Sequence, residues 1–292
     1  MKNSLKIVTT DGYVLSATWF VPDQSNGNVV LINSATGVKQ RYYEDFAHYL
    51  ANQGFYVYTY DYRGIGASKP KRLRGFNVSM ADWALLDYQT MLKNVFQSHP
   101  RSKVIVLGHS VGGQLIGFSP LSAKADAFVT VGAQTPYWKN FDGRATRLKL
   151  RLLWYILIPV LTKLVGYFPA SKLKLFEDLP REAALQWARW AKTKSYVFND
   201  LPELRQNFST LNRSALMLSF SDDRFAPQKA VLDLMQFYSN VKWEHWHLQP
   251  EDVLQREVGH FGFFRKRMEP ILWRETVEWM KKTLSIKEIK AA

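Results

Sequence analysis

The segment KVIVLGHSVGGQL, residues 103–115, restricts the fold more than any other part of the chain. Val104–Leu107 is an uncharged run rich in β-branched residues, bounded by Lys103 and Gly108. It reads as a strand buried on both faces. One serine, Ser110, then stands between Gly108 and Gly112, and a helix-like segment opens at once. G-x-S-x-G between a strand and a helix is the pattern of a sharp, strained turn that lifts a serine hydroxyl clear of a sheet. The positions two residues away lack side chains that would collide with the turn. A helix starting at Val111 leaves its first N–H groups free and points its positive end at the same spot, which suits an oxyanion. Ser110 is the candidate nucleophile and Val111 the first candidate oxyanion donor.

The surrounding rhythm agrees. LKIVTT, Asp11-Gly12 and YVLSATWF read as a hairpin, because Asp-Gly supplies the positive φ of a tight turn. NVVLI at 28–32 and FYVYTY at 55–60 read as strands separated by a helix over 40–53 that Gly54 stops. A long amphipathic helix over 80–98 precedes the serine strand, and AFVTVGA at 127–133 follows it. After residue 212 the alternation resumes with strands at 214–220 and 241–248 and helices from about 228 and 269. Alternating strands and helices predict an α/β fold, a mostly parallel eight-stranded sheet with helices on both faces. Between about 135 and 212 the rhythm breaks into a helical, basic, tryptophan-rich block. The expected organisation is therefore a core of 1–134 and 213–292, with 135–212 inserted as a helical cap.

A serine needs a base, and the base needs an orienting acid. In this architecture the chain order is serine, acid, histidine. His48 falls within a helix, His99 precedes a proline, and His109 adjoins the serine with its side chain directed away. His245 and His247 share one face of a strand, where two histidines could bind a metal, but no third ligand is apparent. His260, in REVGHFGFFR, lies on a glycine-flanked loop after the last strand and is the candidate base. SDDRFAP at 221–227 follows a strand directly and offers Asp222 and Asp223. Asp223 is favoured by its spacing of four from Pro227 at a helix start, and Asp222 stays open.

VLINSATGVKQRYYEDFAHYLANQGFYVYTYDYRGIGAS, LGHSVGGQ, SDDRFAP and VGHFGFFR together resemble the α/β-hydrolase superfamily. ATGV, DYRGIG, GHSVGGQ and GHFGFF are similar, more narrowly, to a group of bacterial serine hydrolases with no assigned substrate. The resemblance implies Ser110 as nucleophile, Asp223 as acid, His260 as base and a helical cap over the site. Many relatives carry His-Gly after the third strand, where a backbone N–H completes the oxyanion hole. Here the position reads Asn33-Ser34-Ala35-Thr36-Gly37, so the second donor is Thr36 or Ala35, paired with Val111. RGIGAS lacks the third glycine of a dinucleotide fingerprint and has a structural role.

With that constellation the expected chemistry is hydrolysis of a carboxylic ester or related acyl group, without a cofactor or metal. Thioesterase, lactonase, amidase and acyltransferase reactions use the same three residues. A low-turnover ligand-binding protein on the hydrolase fold is the alternative from another class. Aromatic residues of the insertion, among them Trp138, Trp154, Tyr155, Trp187 and Trp190, suggest an apolar acyl substrate. The chain has no cysteine, which excludes thiolate catalysis and disulfides. With no secretory signal and no long apolar span, it points to a cytoplasmic protein. The net charge of +14 gathers at 63–74 and 139–174. No nucleic-acid motif accompanies it, so no nucleic-acid partner is expected. An anionic membrane surface, met through the basic cap, is the charged partner to test.

Overall fold

A computed structural model describes residues 1–290. Eight strands form the main sheet: β1 Lys2–Val8, β2 Val14–Phe20, β3 Val29–Asn33, β4 Tyr56–Tyr60, β5 Val104–His109, β6 Ala127–Val131, β9 Ser214–Phe220 and β10 Lys242–Leu248. Their order is β1-β2-β4-β3-β5-β6-β9-β10. β2 runs antiparallel to both its neighbours, and all other pairs are parallel. The expected hairpin turns at Gly12, with φ +82°.

The inner parallel strands β3, β5, β6 and β9 are buried on both faces, and their side chains alternate between two apolar layers. Val104 and Val106 of β5 join one layer with the helical segment 80–98, while Ile105 and Leu107 join the other with helix Glu44–Asn52 and the terminal helix. β-branched strands suit this arrangement because both faces of the pleat must be filled. The register sets Asn33 beside Gly108, His109 beside Val131, and Val131 beside Leu218. The loops leaving the carboxyl ends of β3, β5, β6 and β9 therefore start side by side, where ligands of open α/β sheets bind.

The RGIG loop after β4 has the structural role expected of it. Arg63 is almost fully buried and its Nε donates to Asp87 at 2.6 Å, while its outer nitrogens reach Asp11. The Arg63 N–H also donates to Asp87, and the Trp83 indole donates to the Arg63 carbonyl. Asp61 accepts from the N–H groups of Gln40 and Ala67. A Cβ on Gly66 would sit 2.5 Å from that carboxylate.

The chain leaves the sheet after β6 and returns at β9. Residues 144–165 form one helical stretch, with a π-helical turn at Leu153–Leu157, and a second helix spans Arg181–Lys192. No strand was expected here, yet β7 Tyr167–Phe168 pairs with β8 Leu179–Pro180. Two residues are too few to leave an alternating signature. The segment's buried residues, including Trp154, Phe168 and Trp190, belong to the same apolar layer as the helical segment 80–98. Polar bonds fasten it further: Ala81 N–H to Gln186, Tyr196 hydroxyl to Gln114, and Asn207 to the Phe118 carbonyl.

Asp87→Ala leaves the buried Arg63 guanidinium without its inner partner. The expected loss is about 3 kcal/mol of unfolding free energy, read from urea denaturation; a loss below about 1 kcal/mol would show that Asp11 alone compensates.

Candidate active site

Ser110 sits at the apex of the turn between β5 and the helix that starts at Val111, with φ +53° and ψ −118°. Non-glycine residues rarely adopt positive φ, and such a conformation costs roughly 1–3 kcal/mol. Its N–H donates to the Val131 carbonyl at 2.9 Å, and its own carbonyl accepts from Gly113. The three glycines each make room for a different neighbour. A Cβ on Gly108 would lie 2.3 Å from the Gly113 nitrogen, so that glycine permits the turn itself. On Gly112 it would meet the Asn33 carbonyl oxygen at 2.3 Å, and on Gly113 the Ala133 Cβ at 2.6 Å. Gly112 thus admits the loop after β3, and Gly113 lets the helix lie against the end of β6.

His260 Nδ1 is 2.7 Å from Asp223 Oδ2, and both residues are buried. A carboxylate only accepts, so Nδ1 carries the proton and Nε2 is left as the basic nitrogen. The other oxygen of Asp223 accepts from the N–H groups of Phe225 and Ala226 at 2.8 and 2.9 Å. Asp222 turns the other way. Its two oxygens accept from Val258 and Gly259, the two residues before His260. Of the adjacent aspartates, Asp223 therefore orients the imidazole and Asp222 holds the loop that carries it. Gly132, at the end of β6, lies against the pair: a Cβ there would stand 3.1 Å from His260 Nδ1 and 3.2 Å from Asp223 Oδ2.

The second oxyanion candidate separates into its two alternatives. The Ala35 N–H already donates to the Tyr43 hydroxyl at 2.7 Å. That engages the Ala35 N–H elsewhere, so of the two alternatives, Thr36 or Ala35, the structure leaves Thr36 as the free donor. The N–H groups of Thr36 and Val111 make no hydrogen bond to any described residue.

Tyr43 leads to a buried relay that sequence reasoning missed. Its hydroxyl is 2.9 Å from His109 Nδ1, and His109 Nε2 is 2.9 Å from the His260 carbonyl oxygen. A carbonyl can only accept, so His109 Nε2 bears the proton, Nδ1 accepts, and Tyr43 donates to it. Burial keeps the Tyr43 hydroxyl protonated, with its pKa well above 10.0. Burial, reinforced by the neighbouring His260, holds the His109 pKa well below 6.5. His109 does point away from the serine, as expected, but it supports the backbone of His260. The signal available in the sequence was a histidine inside an otherwise apolar strand.

The other histidines lie elsewhere. His48 is half exposed beside Phe20, and His99 meets the Tyr58 hydroxyl at 2.9 Å. His245 and His247 both bond the Ser219 hydroxyl at 2.8 Å. Among the described residues no group of three or more histidine, aspartate or glutamate side chains is placed to hold a metal.

The segment between β6 and β9 meets the loop after β3. Glu177 N–H donates to the Gly37 carbonyl at 3.0 Å, and Glu177 pairs with Lys39 at 3.0 Å. Beside this seam a cavity of about 530 Å³ is lined by Gly37, Tyr42, Leu175, Phe176 and Phe261, among others.

The family whose description is serine aminopeptidase, S33 matches residues 23–177. The chain belongs to this family of α/β hydrolases. Solved structures share the fold across nearly the whole chain. DcsB, solved with a substrate analogue, is 14% identical with a TM-score of 0.68, and the match covers 98% of this chain and all of DcsB. The α/β hydrolase GrgF from Penicillium sp. sh18 is 15% identical, TM-score 0.62, covering 98% and 99% of the two chains. The esterase EaEST from Exiguobacterium antarcticum is 17% identical, TM-score 0.61, covering 96% and 100%. Membership makes this S33-family chain a hydrolase, and the matched segment includes Ser110.

The buried neutral His109 has a consequence for stability. Its folded pKa lies below the unfolded value of 6.5, so the unfolded chain binds the extra proton. The stability it carries is present above pH 6.5 and is lost as pH falls below it, with a slope approaching about 1.4 kcal/mol per pH unit. His109→Gln is expected to remove that slope from urea titrations between pH 6 and 5. His99 and His245, whose pKa values burial also lowers, contribute equally to both proteins. An unchanged slope would mean that His109 is not held neutral.

Proposed function

We propose that this protein is a serine carboxylesterase, with 1–134 and 213–292 as the hydrolytic core and 135–212 as a cap over the site. The observation that carries the reading is Ser110 on its strained turn, at the same carboxyl end of the sheet as the His260–Asp223 pair at 2.7 Å. Ser110 Oγ attacks the ester carbonyl carbon while its proton passes to His260 Nε2. Asp223 accepts from Nδ1–H and stabilises the imidazolium. The carbonyl oxygen becomes an oxyanion held by the N–H groups of Val111 and Thr36. As the oxyanion collapses, the C–O bond to the alcohol breaks and His260 returns the proton to the departing alkoxide. Water, deprotonated by the same nitrogen, then attacks the acyl-serine, and Ser110 recovers its proton as the acid leaves.

The family description raises an aminopeptide substrate as the alternative. Recognition of a protonated α-amine requires an opposing carboxylate. Within 135–212, Glu177, Asp178, Glu182 and Asp200 each pair with a lysine or arginine, whereas Asp142 lines a cavity together with Asp222 and Asp223. The esterase and lipase names of several fold relatives, EaEST and the monoacylglycerol lipase of Paleococcus ferrophilus among them, favour the ester over the aminopeptide.

A fluorophosphonate probe and a panel of p-nitrophenyl esters, run beside aminoacyl anilides, test the reading. The wild type is expected to be labelled and to prefer esters. Ser110→Ala abolishes labelling, and Ser110→Ala, His260→Ala and Asp223→Asn each lower kcat by about 10³-fold or more. Asp222→Asn lowers it by less than about 10²-fold, because it loosens the loop without removing the acid. Equal losses at Asp222 and Asp223, or labelling that survives Ser110→Ala, contradict the assignment. Preference for the anilides would restore the aminopeptidase reading.

A further inference from the structure

The cap's first helical stretch, 144–165, is apolar on both sides. Trp154, Ile158 and Thr162 are buried against the body of the protein. Leu148, Leu152, Tyr155, Ile156, Val160 and Leu164 lie outside, each between 47% and 68% exposed. Five of these six recur every four residues. On a straight α-helix that spacing winds slowly around the axis, and the wider π turn at Leu153–Leu157 takes up part of the drift. The stripe extends for about 24 Å at the helical rise per residue. A surface helix ordinarily sets polar residues opposite its core face, and a contiguous apolar face left in water marks an interaction surface.

The flanks of the stripe are cationic. Arg144, Lys149, Arg151, Lys163, Lys172 and Lys174 are exposed, and none pairs with a described carboxylate. The Lys192 ammonium lies over the Tyr155 ring at 4.7 Å, and the Arg151 guanidinium over Trp138 at 5.4 Å. Two copies of this face would bring like charges together, which disfavours self-association. No helix among the described residues is long and apolar enough to cross a membrane.

We propose that this face docks on an anionic lipid bilayer, lying in the interface with its apolar stripe at the acyl boundary and its cations among the headgroups. The loop that follows the helix carries exposed Leu173 and Leu175 and reaches Gly37 through Glu177. Docking therefore sets the edge of the candidate site next to the bilayer. The docking itself does not depend on the role given to Ser110.

Vesicle flotation tests it, without reference to activity. The probes are phosphatidylcholine vesicles with and without 30% phosphatidylglycerol, at low salt and at 0.5 M salt. The wild type is expected to float with the anionic vesicles and to bind about tenfold more weakly to phosphatidylcholine alone or at high salt. Two sets of exposed substitutions divide the contributions: Leu152→Ser with Ile156→Ser and Leu164→Ser, and Lys163→Glu with Lys172→Glu and Lys174→Glu. Each set, shown by circular dichroism to be folded, should lose at least about tenfold in partitioning. The proposal is overturned if the wild type fails to bind anionic vesicles at low salt, or if both folded variants bind as the wild type does. It is also overturned if sedimentation shows a dimer that the serine substitutions abolish, because the occupant is then a second copy.

Discussion

The backbone of Ser110 is the constraint on which the rest depends. At φ +53° and ψ −118° it sits where a non-glycine residue does not stay unaided. The surroundings impose it. The Ser110 N–H is held by the Val131 carbonyl, and the helix packs so close that Gly108, Gly112 and Gly113 cannot carry even a methyl group without displacing backbone or side chains. Those contacts require β3, β5 and β6 to be in register at their carboxyl ends. The core thus supplies the energy that keeps one serine strained and its hydroxyl at the top of the sheet.

The position of the candidate base, His260, is fixed by groups other than Ser110 and Asp223. Asp222 grips the two N–H groups before His260, His109 donates to the carbonyl of His260 itself, and Tyr43 ties His109 to the loop after β3. One continuous set of hydrogen bonds therefore links the candidate base to the loop that supplies Thr36. Directions along this relay follow from chemistry, because a backbone carbonyl and a backbone N–H at its two ends leave one consistent placement of protons. A buried network satisfied throughout gives a single arrangement, and losing one member strands the others.

Much of this was legible in the sequence. The strand–GHSVGG–helix pattern located Ser110, and alternation of apolar segments gave the mostly parallel eight-stranded sheet. His260 could be found by elimination, because the other five histidines fell in helices, strands or connections unsuited to a base. What was not legible depended on where two loops meet in space. Asp223 is favoured by its spacing from Pro227, but the separate part played by Asp222 depends on its carboxylate meeting the N–H groups of Val258 and Gly259. Ala35 and Thr36 could not be separated until the Tyr43 hydroxyl was seen to take the Ala35 N–H. Tyr155 read as one of several aromatics around a substrate, but it faces outward at 50% exposure. Aromatic content alone does not tell the inner from the outer side of a helix that is apolar on both.

The segment 135–212 shares an apolar layer with the helical segment 80–98 and meets the loop after β3 where the Glu177 N–H donates to the Gly37 carbonyl. The central claim is that Ser110 carries the acyl group between two half-reactions. Rapid-quench mass spectrometry during turnover of a p-nitrophenyl ester tests it most directly. The account requires a mass increase equal to the acyl group, confined to the peptide Val104–Lys124 and mapped to Ser110. Ester turnover with no acyl adduct on that peptide, or with the adduct on another residue, would contradict it.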